Sequence, residues 1–374
     1  MDIRVSYKAT EYILYEYARL LKDYGIDVEL LITDTGRKHT SIKNRREVEI
    51  RYRDIPQKRI DCTELVLPFK YHLFFYRGLP HDSVIYLPYS IYDYVLNIIT
   101  KPKDQKYIIG CHGMHLKYGH IVKGHKLLEV LLNTIVKKAI NMNKASTANL
   151  YCHVINREQG EYVKKTFGLR SENIFYVPIM IRCKDYHIGK NNLRKLKVLH
   201  IGGIGKDMQI VLEVIKILER MGKLDMFEFY FIGEGDKQIE SEYKKYNTIH
   251  FLGMISDNEK IKLLSESDAM IVPAYETFSK AMLEGLVSGL CILMSKRNAS
   301  WRDITELRIK TTIVENGEAK EYVESLIRLA ERKSRGKNIN PYKLINMKKT
   351  AENFDEGIVL KKVLAFFMKV MDKN

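Results

Sequence analysis

An α/β fold built from two doubly wound parallel-sheet domains is the architecture the amino-acid sequence predicts, and three observations predict it. Short apolar runs of four or five residues alternate with amphipathic helical periods, which is the pattern of successive βαβ units. The chain has 374 residues, too many for one ordinary hydrophobic core and suited to two. A polar stretch from Cys183 to Lys197 divides it into halves that each carry the alternation.

The elements follow in order. Ile3 and Val5 open a strand, and Tyr12, Ile13, Tyr17, Leu20 and Leu21 mark one face of a helix. A turn at Tyr24-Gly25 precedes the apolar run from Val28 to Ile32, completing a β-α-β start. The runs Ser83–Leu87 and Tyr107–Gly110 read as buried strands, and a basic helix with one apolar face is expected over about 125–142. In the second half the strands are Val198–Ile201, Phe229–Ile232, Ile249–Leu252, Ala269–Val272 and Leu290–Leu293. Ile210, Val211, Val214, Ile215 and Leu218 repeat on one helical face between the first two. Ser256 followed by Glu259 is a capping-box start for another helix.

Composition narrows the function classes. With 45% hydrophobic and 29% charged residues and only 8 prolines, the chain reads as a packed globular protein, which excludes disordered and collagen-like classes. The start, Met1 to Val5, lacks the pattern of a secretory signal and no apolar run reaches membrane-spanning length, so a cytoplasmic protein is expected. The five cysteines (Cys62, Cys111, Cys152, Cys183, Cys291) are widely spaced with no CxxC pair, and are read as reduced core residues. The formal net charge is +16, an excess that attracts nucleic acid, anionic lipid or phosphorylated small molecules. Its densest stretch, Arg37 to Arg59, has nine basic and three acidic residues. With Phe69, Phe74, Phe75, Tyr76 and the lysines 123, 126, 137 and 138, it suggests peripheral docking on an anionic membrane; a solvated charged face is the alternative.

The sharpest local pattern runs from Pro273 to Gly285, after the strand 269–272 and into a helix whose first turn lies near Ser279. A helix N-terminus at the carboxyl edge of a strand is an anion site, because its first amides lack partners within the helix. Glu276 falls in the loop and Glu284 about two turns inside the helix, so the two carboxylates face different parts of an extended ligand, and carboxylates accept hydrogen bonds from sugar hydroxyls. A solvated loop glutamate and an incidental helix glutamate are the alternative from spacing alone.

These residues resemble the Glu-x7-Glu motif of glycosyltransferase family 4, retaining enzymes of the two-domain GT-B fold. The likeness extends over about 198–295, through Ile249–Gly253, Asp257 to Leu264, Ser267 to Pro273 and the small-residue turn from Gly285 to Leu290, with weaker likeness at 108–113, 148–178 and 354–371. The resemblance implies two Rossmann-like domains facing across a cleft: an acceptor-binding domain at 1–182, a donor-binding domain at 183–353, and a helix at 354–374 crossing back to the first. It implies transfer of a sugar, of the hexosyltransferase type, from a nucleotide-sugar such as a UDP- or GDP-sugar to an acceptor hydroxyl on a glycan or a lipid-linked acceptor, with retention of configuration. Glu276 would contact the sugar, Phe278, Ser279 and Lys280 the sugar and phosphates, and Glu284 the ribose. Gly203 and Lys206 correspond to the donor-phosphate loop, with Lys206 neutralising the leaving diphosphate and no metal or other cofactor required. Gly233 and Glu234 would line the nucleotide pocket, and His112, ending the strand before Gly113, would act near the reacting sugar. His115, His120 and His125 lack other ligand types at metal-site spacing.

The chain departs from the family where Gly203 replaces the usual arginine, where Ser6 to Thr10 replaces a Gly-Gly loop, and where Pro178-Ile179-Met180 replaces Pro-Asn-Gly. Lys280 is a candidate to supply the missing charge. The rival readings are a phosphorylase or nucleotide-sugar epimerase of the same fold, and a non-catalytic binder of anionic lipid or nucleic acid. The absence of a stacking signature argues against nucleic acid.

Overall fold

A computed structural model gives the architecture and describes residues 2–4, 9–28, 30–34, 57–61, 84–87, 106–110, 134, 138, 149–189, 194–202, 206–233, 235–273 and 278–372. The chain forms two compact units, one of Met1–Ile179 with Val359–Asn374 and one of Met180–Ile358.

In the first unit, β1 (Asp2–Arg4), β2 (Leu30–Asp34) and β3 (Gln57–Asp61) make one parallel sheet, with α1 (Ala9–Asp23) connecting the first two. β4 (Val84–Leu87), β5 (Lys106–Gly110), β6 (Leu150–Val154) and β7 (Ile174–Tyr176) make a second parallel sheet in that order. Three strands of this unit, β3, β6 and β7, are not singled out by the sequence pattern. Gln57–Asp61, which takes in the end of the basic stretch, pairs along β2, and Leu150–Val154 is a fully buried strand. α2 (Arg157–Phe167) is capped by Asn156, whose side chain accepts from the Gln159 amide, and ends at Gly168 in the left-handed region. The predicted helix over 125–142 lies almost entirely outside the described residues.

The second unit is a single six-stranded parallel sheet in the order β10-β9-β8-β11-β12-β13. Its strands are β8 (Leu196–Ile201), β9 (Phe227–Ile232), β10 (Ile249–Gly253), β11 (Ala269–Val272), β12 (Cys291–Ser295) and β13 (Thr312–Val314). Its helices are α3 (Lys206–Arg220), α4 (Lys237–Tyr243), α5 (Asp257–Ser265), α6 (Lys280–Val287), α7 (Trp301–Glu306), α8 (Ala319–Ser334) and α9 (Lys343–Phe354). The central strands β8, β11 and β12 are buried on both faces, as in covered parallel sheets, and Val211, Val214, Ile215 and Leu218 of α3 join Val198, Phe229, Tyr322 and Leu326 in one core. The chain winds outward from β8 to β10 and then returns to β11 on the other side of β8. That reversal makes β8/β11 the topological switch point, whose carboxyl edge is where ligands bind in such sheets.

The stretch from Cys183 toward Lys197 behaves as part of the second unit rather than as a free linker. Its Gly189 amide donates to the Ser265 carbonyl at 3.0 Å, and β8 already begins at Leu196. α10 (Glu356–Asp372) buries Val359, Val363, Phe366, Phe367 and Val370 on one face. Phe366 meets Phe175 at 4.4 Å between ring centroids, and Lys106 Nζ donates to the Met371 carbonyl at 2.9 Å, tying this helix into the first unit. No described helix is long and apolar enough to cross a membrane.

Candidate functional site

The two loops that sequence patterns single out leave the sheet at its switch point. After β8 the chain passes Gly202 into α3, whose first residue is Lys206; after β11 it passes buried Pro273 and enters α6. β8 and β11 are hydrogen-bonded neighbours, so the N-terminal ends of α3 and α6 stand at the carboxyl edge of one strand pair. Each end presents amides without helical partners and the positive end of a dipole.

Ser279 is the N-cap of α6, its side chain accepting from the Met282 amide at 3.2 Å. The helix begins at Lys280, so Glu284 stands little more than one turn inside it, not two. Gly285 follows because nothing larger fits: a Cβ there would lie 2.9 Å from Ile292 Cδ1 and 3.2 Å from Met270 Sδ. This close approach seats α6 on β11 and β12 and fixes the direction of Glu284. Phe278 is buried against Phe354, 5.4 Å between centroids, which anchors the entry to the helix.

Glu284 is only 2% exposed, yet it is surrounded by donors. Its Oε1 accepts from the Tyr186 hydroxyl at 2.9 Å and from Lys260 Nζ at 3.1 Å, and Lys280 Nζ stands 3.9 Å away. Lys260 also pairs with Asp257 at 3.1 Å. Burial alone would pull the Lys260 ammonium down, but the two carboxylates outweigh it and leave its pKa above the ordinary lysine value. Burial, reinforced by the Glu284 charge, holds the Tyr186 phenol well above its usual range, so it stays a hydrogen-bond donor. The group is therefore a fixed, charge-balanced carboxylate at the base of the α6 N-terminal turn.

His200, a polar residue within the apolar run of β8, adds a buried imidazole to this edge. It lies near the carboxyl end of β8, 4% exposed, with Nδ1 3.4 Å from the Ile271 carbonyl. Nε2 has no hydrogen-bond partner among the described residues, and a Cβ on Gly202 would sit 3.6 Å from it. Because the carbonyl only accepts, Nδ1 carries the proton and Nε2 offers a lone pair beside the glycine-rich turn. Burial lowers its pKa to about 4, only partly offset by the bond to Ile271, so the ring is neutral near pH 7.

Of the other expected residues, Gly233 follows β9 with φ 136°, a conformation suited to glycine, and its amide donates to the Gly253 carbonyl. Lys206 is placed by its backbone alone. Gly203, Glu234, Glu276 and His112 lie outside the described residues, as do His115, His120 and His125. The structure thus brings Ser279, Lys280 and Glu284 together with Tyr186 and Lys260, two residues sequence reasoning missed. Tyr186 is 98 residues distant from Glu284, with no local pattern to signal the contact.

Residues 188–344 match the profile of the family described as "Glycosyl transferases group 1". No curated protein matches the sequence. Among solved structures, a glycosyltransferase from Rickettsia africae ESF-5 superposes with a TM-score of 0.71 at 14% identity, covering 100% of this chain and 98% of that one. Anabaena Alr3699/HepE in complex with UDP-glucose gives 0.69 at 13% identity, with 98% of each chain covered. The lipopolysaccharide outer core galactosyltransferase WaaB, in its apo form, gives 0.70 at 12% identity with the same coverage. The chain accordingly has the GT-B fold of two Rossmann-like domains, and the stretch matching the group 1 glycosyl transferases carries the switch point, α6 and Glu284.

Proposed function

We propose that the protein is a glycosyltransferase that moves a hexose from a nucleotide-sugar to an acceptor hydroxyl with retention of configuration. The observation that carries this reading is the coincidence of the group 1 match over 188–344 with the switch-point edge, where two helix N-termini and the buried Glu284 carboxylate meet. Structures similar in fold include one bound to UDP-glucose.

In this reading the diphosphate sits at the N-terminus of α3, where free amides and Lys206 take up its charge. Negative charge grows on the departing phosphate as the glycosidic bond breaks, so a cation there stabilises the transition state more than the ground state. Lys206 and the helix amides do this work without a metal ion. Glu284 accepts from the ribose hydroxyls through the oxygen that Tyr186 and Lys260 leave open. Glu276 and His112 stabilise the sugar as it gains oxocarbenium character, and the leaving diphosphate takes the acceptor's proton on the same face. The acceptor, a glycan or a lipid-linked molecule, belongs to the first unit.

The test is thermal shift with UDP, GDP and ADP, followed by turnover of the corresponding sugar conjugates. A nucleotide that binds only the folded state stabilises it by about 2.7 kcal/mol at a hundredfold excess over Kd. Glu284→Gln is expected to abolish that shift, because it exchanges a charged acceptor for a neutral one. If no nucleotide stabilises the protein, or if turnover requires free phosphate or no acceptor, the reading fails.

A further inference from the structure

We infer that the outer face of α9, with the connection leading into it, is a docking surface for an anionic lipid bilayer. The helix is built inside out. Asn346, Thr350 and Phe354 form its buried stripe, two of them polar, whereas Leu344 is 68% exposed, Ile345 52% and Tyr342, at the N-cap, 47%. An ordinary surface helix does the reverse, with apolar residues facing the core. The inversion is held in place: Asn346 Oδ1 accepts from the Lys310 amide and its Nδ2 donates to the Lys310 carbonyl, both at 2.8 Å. Rotating the helix to bury Leu344 and Ile345 would break this paired contact, so their exposure is imposed by the fold.

The surroundings identify the occupant. From Arg332 to Lys349 the chain carries seven Lys or Arg residues and no Asp or Glu. Lys333 is engaged with Asp268 at 2.5 Å, and Lys348 and Lys349 stand 3.9 and 3.8 Å from Glu352, but Arg335 and Lys337 are exposed and Lys343 is half-exposed. Ile345 and Lys348 are one turn apart, so aliphatic groups and cations share a face. A second copy of the chain is disfavoured, since a two-fold interface would set this cationic patch against itself. Nucleic acid would take the cations but leave Leu344 and Ile345 in water. An anionic bilayer satisfies both, with phosphates at the lysines, aliphatic side chains below the headgroups and Tyr342 at the boundary. The inference is independent of the donor-site reading and lies in a different unit from the basic stretch 37–59.

The experiment is co-sedimentation of the full chain with vesicles of phosphatidylcholine alone, and of phosphatidylcholine mixed with phosphatidylglycerol, at low and high salt. Binding is expected only to the mixed vesicles and is expected to weaken with salt. Two surface variants, Leu344→Asp with Ile345→Asp, and Arg335→Gln with Lys337→Gln and Lys343→Gln, should each weaken it ~10-fold or more. Their thermal unfolding and nucleotide-induced stabilisation should match the parent protein. Failure of the parent protein to bind, or binding by either variant as tight as the parent's, would overturn the inference. So would concentration-dependent self-association that Leu344→Asp abolishes.

Discussion

Tyr186, Lys260 and Lys280 all approach the same oxygen of Glu284, at 2.9, 3.1 and 3.9 Å. Groups that share one acceptor act as a unit, so their removal is not additive. Tyr186→Phe deletes one neutral hydrogen bond and is expected to cost about 1 kcal/mol. Lys260→Met leaves a buried carboxylate short of its nearest cation and is expected to cost roughly 1–3 kcal/mol, with Lys280 compensating part of the loss. In urea unfolding, the double variant should depart from the sum by at least ~0.5 kcal/mol; strict additivity would mean that the two residues do not hold the carboxylate jointly. The sequence makes Ser279 and Glu284 visible, because a strand, a loop carrying Glu276 and a helix start near Ser279 form a local pattern that includes a second carboxylate at Glu284. Tyr186 and Lys260 stay hidden because only the packing of α5 and the 180–189 segment against α6 brings them in. His200 was legible as a polar residue inside an apolar run, but nothing local says that its Nε2 is left without a partner.

Helix α6 tests how closely an element must approach its sheet for the site to exist. Gly285→Ala would gain about 1 kcal/mol of helix propensity. Against that, the new methyl would meet Ile292 Cδ1 at 2.9 Å and Met270 Sδ at 3.2 Å, within a fully packed layer. Overpacking of this kind costs roughly 1–3 kcal/mol. The net expectation is a modest loss of stability in chemical denaturation, together with weaker nucleotide binding, because α6 must lift and carry Glu284 with it. A stabilised variant with unchanged nucleotide affinity would show that the contact yields freely. At this scale the apolar runs disclose most strands of the second unit, to within a residue or two, because parallel strands buried on both faces are written as continuous hydrophobic stretches. β3, Gln-Lys-Arg-Ile-Asp, escapes that reading: it is the last strand of its sheet and pairs through its backbone. α9 escapes for the opposite reason, its apolar residues facing outward.

Across the whole molecule, each unit buries one neutral histidine among its described residues, and this ties the stability of both units to pH. In the first unit, His153 is 1% exposed, its Nε2 donates to the Val177 carbonyl at 2.9 Å, and Nδ1 accepts from the Tyr86 hydroxyl at 2.7 Å. In the second, His200 donates from Nδ1 to Ile271. Burial lowers both pKa values from 6.5 to about 4. Between those two values the unfolded chain binds protons that the folded chain refuses, so stability rises with pH across that window. The contribution is intact above about pH 6.5 and is withdrawn as pH falls toward about 4, by up to roughly 3 kcal/mol for each histidine. Carboxylate titration acts mainly at the lower end of this range, which leaves the interval above about pH 5 to the histidines. Urea midpoints measured down this interval are expected to fall steadily, and His200→Gln should flatten the pH dependence of the second unit's transition while leaving that of the first. His153→Gln should do the reverse, with some lost stability at every pH because it gives up the Tyr86 contact. If neither variant changes the slope, the acid sensitivity of the molecule resides in other groups.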